Sequence, residues 1–134
     1  MENSPNVVGK YLVIEGNDGT GKSTQVDMLA AWLRERGREV VVIEEPGSDD
    51  AAKTTPVANE YRRVLKDGRF KLDPEVNLLL CSAARRELWF HKIEPALRRG
   101  AVVLSSRNYV STLVYQGYGE GVTEDAIINM TKRF

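Results

Sequence analysis

An α/β architecture on a parallel sheet is what this sequence predicts, and three observations carry the prediction. Three short apolar runs have strand length: "YLVIEG" at 11–16, "EVVVIEE" at 39–45 and "AVVLSS" at 101–106. The stretches between them have helical periodicity, so the order reads β-α-β, which needs crossovers and gives a parallel sheet. Between the first run and the first helix, Gly16, Gly21, Lys22 and Ser23 satisfy G-x-x-x-x-G-K-[ST], the phosphate-binding loop.

Each element has a local reason. In "KSTQVDMLAAWLRERG", Val26, Leu29 and Leu33 recur at helical spacing with Met28 and Trp32 beside them. Gln25, Asp27, Arg34 and Arg36 take the other side, and Gly37 is a helix stop. The second strand is continuous in Val and Ile, as buried parallel strands are, and Pro46-Gly47 ends it. Residues 48–55 read as a loop, followed by a short helix from about Val57 to Lys66 and a turn at "KDGRF". The longest helix starts at Asp73 as N-cap with Pro74 at the first helical position. Pro95 is expected to kink the chain or start a new helix, and Gly100 closes that segment. After the third strand, "NYVSTLVYQG" and "TEDAIINMTKRF" read as two more helices.

Composition narrows the function classes. Basic and acidic residues are equal at 19 each, so no overall field invites nucleic acid, and any polyanion must be bound locally. The single cysteine, Cys81, excludes an internal disulfide framework and fits a reducing compartment, the cytoplasm. No apolar stretch reaches the length of a membrane span, and the amino terminus has no secretory-signal pattern. One domain over 1–134 is expected, with residues 1–9 as a disordered lead-in.

The loop has a definite chemistry. Its glycines let backbone N–H groups and a helix N-terminus approach phosphate oxygens closely. Lys22 is expected to reach the β and γ phosphates, and Ser23 to offer its hydroxyl to Mg²⁺. ATP, with Mg²⁺ as cofactor, is thus the ligand predicted for Gly16, Asn17, Asp18, Gly19, Thr20, Gly21, Lys22, Ser23 and Thr24.

Four segments read together supply an acceptor. In order and spacing, "YLVIEGNDGTGKSTQ", "VVVIEEPG", "NLLLCSAARREL" with "KIEPALRRG", and "VVLSSRNYVSTLVYQGYGEG" resemble the thymidylate kinase family. The resemblance covers Tyr11 to Gly121. It implies a P-loop nucleoside monophosphate kinase fold, three-layer αβα with a parallel sheet, and conversion of dTMP to dTDP with ATP. Carried over residue by residue, it makes Asp18 the contact to the deoxyribose 3′-hydroxyl and Arg85 the reader of the thymine edge. Arg107 becomes the holder of the acceptor phosphate, so that Lys22, Arg107 and Asp18 form the catalytic set. Arg62, with Arg63 as its rival, matches a further phosphate-binding arginine. Thr112, Tyr115 and Gln116 lie in the part that closes over nucleoside and base, with Tyr115 crowding a 2′-hydroxyl. Glu45 matches the acid before Pro-Gly and is expected to orient substrate or metal. A homodimer through helices is implied by the resemblance alone.

The sequence also departs from the family pattern. The aspartate of D-R-Y is Ser106, so that metal position is neutral and weaker metal binding is expected. Cys81 stands where the family stacks a phenylalanine on thymine. It is either a small pocket residue that loosens base recognition or a core residue of the long helix. The family's last strands, its arginine-bearing lid and its adenine segment are missing here, which would leave the first strand at a sheet edge. Two alternatives therefore stand beside a dTMP kinase: another nucleoside monophosphate kinase, and a non-catalytic nucleotide-binding fragment.

Overall fold

A computed structural model describes residues 9–133. The predicted lead-in therefore lies outside the described residues, apart from Gly9, which corrects the expectation of disorder at that position. Its N–H donates to the Leu97 carbonyl at 3.0 Å, and a Cβ there would stand 2.4 Å from the Ala101 carbonyl oxygen.

The strands are β1 (Lys10–Ile14), β2 (Val40–Glu44) and β3 (Val102–Ser106). They form one parallel sheet in the order β1-β3-β2, so β1 lies at an edge as expected. In register, Ile14 pairs with Ser106 and Ser106 with Glu44, which brings three strand ends side by side.

Strand alternation divides the core into two layers. Val40, Val42, Val102, Leu104 and Ile14 face helix α1 (Lys22–Glu35), which covers them with Val26, Leu29, Ala30 and Leu33. Their alternates Tyr11, Val41, Ile43 and Val103 pack on helices α2 (Pro56–Lys66), α3 (Pro74–Leu88) and α4 (Glu94–Arg98) through Ala58, Ala84, Leu88, Ala96 and Leu97. The chain is a three-layer αβα sandwich. Met28 and Trp32, placed beside the apolar face by spacing, are exposed instead, and Trp32 carries the Arg36 guanidinium 3.8 Å from its ring centre. With Val26 and Ala30 filling the contact, the two larger side chains fall just outside the stripe.

Three local structures were not predicted. Residues Ala51–Lys53 form a 3₁₀ turn capped by Asp50, inside the expected loop. Between α3 and α4 the chain widens into a π turn, Trp89–Ile93, in which the Glu94 N–H reaches the Trp89 carbonyl. Pro95 explains it: proline has no N–H for the carbonyl four residues back and its ring clashes there, so the widened turn accommodates it while the helix continues. The expected helix at 108–117 is also modified. Regular helix α5 spans only Tyr109–Thr112 and continues as a π segment, Leu113–Gly119, before α6 (Glu124–Arg133). Leu78 of α3, Val122 just before α6 and Ile127 within it tie this end of the chain to the body.

Candidate functional site

The three strand ends and the starts of the following segments converge on two adjoining cavities. The smaller, about 290 Å³, is lined by Asp18, Gly19, Gly21, Lys22, Ser23 and Thr24 of the loop together with Glu44, Ser106 and Arg107. Gly21 is the N-cap of α1 in the left-handed region (φ 88°) and offers no side-chain cap, so the first N–H groups of the helix are left for an anion. Asn17, Thr20 and Gly16 do not line the cavity but shape the loop. The Thr20 hydroxyl and Lys22 Nζ both donate to the Asn17 carbonyl at 2.7 Å. A Cβ at Gly16 would lie 2.8 Å from the Thr20 hydroxyl.

The larger cavity, about 480 Å³, brings together all nine residues that the sequence proposes for the acceptor: Asp18, Glu45, Arg62, Cys81, Arg85, Arg107, Thr112, Tyr115 and Gln116. The two neighbouring arginines differ in place. Arg62 lines the cavity with its guanidinium on Asp49 at 2.6 and 3.1 Å, whereas Arg63 is exposed and held by Glu60.

Arg85 is fixed from two sides. Its Nε donates to Glu45 Oε2 at 2.8 Å and its Nη2 to the Thr112 hydroxyl at 2.9 Å. Both members of the pair are largely buried, with side chains 13% and 4% exposed. Burial pushes the Glu45 carboxyl up, against the opposing pull of Arg85, and its Oε1 has no hydrogen-bond partner among the described residues. Tyr11, half-buried beneath on β1, is likewise pushed up by burial and by the Glu45 charge.

Arg107 follows β3 with φ 79°, the one described non-glycine residue in the left-handed region. Its guanidinium donates to the Asp18 carboxylate, to the Tyr115 hydroxyl at 3.2 Å and to the Ser111 hydroxyl at 3.4 Å. The loop and the acceptor cavity thus meet at one arginine.

Sequence reasoning missed Glu15, Asn108 and Ser111. The Glu15 carboxylate accepts from the Asn108 N–H at 2.7 Å and from the Ser111 hydroxyl at 2.6 Å, so the residue preceding the loop holds Asn108, whose own side chain caps α5. The acid in "VIEG" was the available signal. Glu44, also missed, lines both cavities, and its position one residue before Glu45 on an alternating strand was the clue that it faces the other way.

Cys81 is half-buried and lines the larger cavity, so it sits in the pocket wall rather than in the core proper. Burial pushes its thiol up to about 11. Its alkylation by iodoacetamide is expected to rise steadily from pH 7 to 10, without the plateau that an ordinary thiol reaches above its pKa of about 8.5. Because the folded value is raised, the contribution to stability is present below the unfolded value and is lost as pH climbs through the folded one. A plateau by pH 9 in the native chain would contradict this.

With that geometry in place, comparison with known proteins is decisive. The family model described as "Thymidylate kinase" matches residues 14–134. The chain belongs to the thymidylate kinase family. It is 44% identical over 111 residues to the thymidylate kinase of Chlorobium luteolum, covering 83% of this chain and 49% of that one. To the thymidylate kinase of Nitrosomonas eutropha it is 45% identical over 114 residues, covering 85% and 50%. Among solved structures, thymidylate kinase from Ehrlichia chaffeensis superposes with a TM-score of 0.83 at 33% identity, covering 93% of this chain and 67% of that one. The α/β P-loop kinase fold expected from the sequence is borne out. The chain spans about half the length of the curated relatives it matches. Among the described residues no helix is long and apolar enough to cross a membrane.

Proposed function

We propose that this chain carries the donor loop and the acceptor pocket of a dTMP kinase, which moves the γ-phosphoryl of ATP onto the dTMP phosphate. The observation that carries the reading is the adjacency of the two cavities, which share Asp18, Glu44 and Arg107. A donor phosphate in the loop and an acceptor phosphate at Arg107 would then lie on either side of one short gap. In the transfer, an acceptor phosphate oxygen bonds to the γ phosphorus as the bond to the β–γ bridging oxygen breaks, leaving ADP and dTDP. Such chemistry asks for positioning and charge stabilisation rather than a covalent protein intermediate.

The roles follow from the donors available. Lys22 leaves the Asn17 carbonyl for the β and γ phosphates, and Arg107 holds the acceptor phosphate with Arg62 beside it. Arg85, locked by Glu45 and Thr112, offers a fixed fork to the base edge, which a flexible lysine would not replace. Asp18 and Tyr115 address the sugar, Gln116 lies next to them, and Cys81 leaves the ring face uncovered. The hydroxyls of Ser23 and Ser106 both line the smaller cavity, an oxygen environment that suits Mg²⁺ alongside phosphate oxygens and water. When bound, Mg²⁺ neutralises charge on the transferring phosphoryl.

A coupled assay of ADP release with dTMP, dUMP, CMP and UMP tests the reading. We expect dTMP to be used best; preference for CMP or UMP would favour another monophosphate kinase, and ATP binding without turnover a nucleotide-binding fragment.

A further inference from the structure

We propose that Glu44 supplies the carboxylate oxygen for the divalent cation that accompanies ATP, taking over on β2 what Ser106 leaves neutral on β3. This rests on the nucleotide-binding reading above and names a ligand for its cation.

Strand geometry places the group. Glu44 follows Val40 and Val42 onto the face covered by α1, whereas Glu45 turns to α3 and is taken by Arg85. Glu44 is in register with Ser106, one strand spacing of about 4.8 Å away, and paired residues project to the same side of a sheet. Both line the loop cavity with Ser23 and Lys22. A glutamate is long enough to bring its oxygens from the neighbouring strand toward the space in front of Ser106.

Its surroundings fit a metal ligand better than a structural acid. The Ser48 hydroxyl donates to Oε2 at 2.6 Å and is itself fixed by the Asp50 N–H at 3.1 Å, so one oxygen is anchored. Among the described residues no Lys, Arg or His pairs with Glu44, although nine ion pairs form elsewhere. A bare carboxylate in a triphosphate cradle repels the ligand, by about 1 kcal/mol per charge pair at 4 Å even in water and more when screened less. A divalent cation between them reverses the sign. Loop Ser/Thr plus one strand-end carboxylate is how phosphate-loop proteins hold Mg²⁺, which needs only one or two carboxylates besides phosphate and water. The weaker metal binding expected from Ser106 alone is thereby offset.

The test uses this chain, ATP and Mn²⁺ as the probe cation, with free Mn²⁺ read by electron paramagnetic resonance. Glu44→Gln is expected to weaken Mn²⁺ binding to the protein–ATP complex about tenfold. In EDTA the same variant should bind ATP as tightly as the unmodified chain or tighter, because a repelling charge is gone. Adding Ser106→Asp should restore Mn²⁺ affinity, and Glu44→Ala should behave as Glu44→Gln does. Unchanged Mn²⁺ affinity, equal loss of ATP affinity with and without metal, or no recovery with Ser106→Asp would overturn the proposal. Failure of the unmodified chain to bind ATP at all would instead sink the nucleotide reading, and this proposal with it.

Discussion

Arg85→Leu should destabilise the chain by about 3–5 kcal/mol, because it strands the Glu45 carboxylate where water cannot reach it. The loss should depend on pH. Glu45 is raised in the folded state even with Arg85 present, so its contribution is full below the unfolded carboxyl range and is lost as pH rises through the folded value. Removing the guanidinium raises that value further. The deficit of the variant should therefore be small near pH 4 and widen toward pH 8. Urea unfolding at both ends of that interval checks it, and an equal deficit at the two pH values would show that lost packing, not charge, is responsible. Glu45→Gln added to Arg85→Leu should recover most of the stability, since the buried charge is gone, and on the dTMP kinase reading it should not recover base recognition.

The second large effect concerns Arg107. Arg107→Ala and Arg107→Gly should both weaken dTMP binding about 10- to 100-fold, the worth of a charged hydrogen-bonding group facing a phosphate. They should differ in stability. At φ 79° alanine keeps the cost of the left-handed backbone whereas glycine does not, so Arg107→Gly should be the more stable of the two by about 1 kcal/mol. Calorimetric titration with dTMP and thermal melts separate the two quantities. Equal melting temperatures would mean that the loop relaxes its backbone once the guanidinium is removed.

The layers of the fold were legible because alternation in three strands and a glycine loop before an amphipathic helix are strong local signals. That Arg85, Arg107 and Tyr115 gather at one cavity was legible because they sit in segments whose order and spacing match a family. Helix regularity was not. A π turn adds one residue to a turn yet leaves the apolar spacing nearly intact, so neither Trp89–Ile93 nor Leu113–Gly119 could be read from periodicity. Glu44 and Glu15 escaped for a different reason. Each lies at the end of a strand, where its role depends on the neighbouring strand's end and the next segment's start, and a single chain read linearly does not juxtapose these. Met28 and Trp32 show the same limit on a helix, where spacing gives a face but not the width that the sheet covers.

The Glu15 tether has a consequence for how the two ligands influence one another. Glu15 is covalently joined to the first loop glycine, and its carboxylate grips both the start of α5 and Ser111, which also touches Arg107. On the dTMP kinase reading, this tether would join the phosphate held by the loop to the one held at Arg107. By thermodynamic reciprocity, whatever factor ATP adds to the affinity for the monophosphate must equal the factor the monophosphate adds for ATP. On that reading, occupancy of either cradle would report on the other.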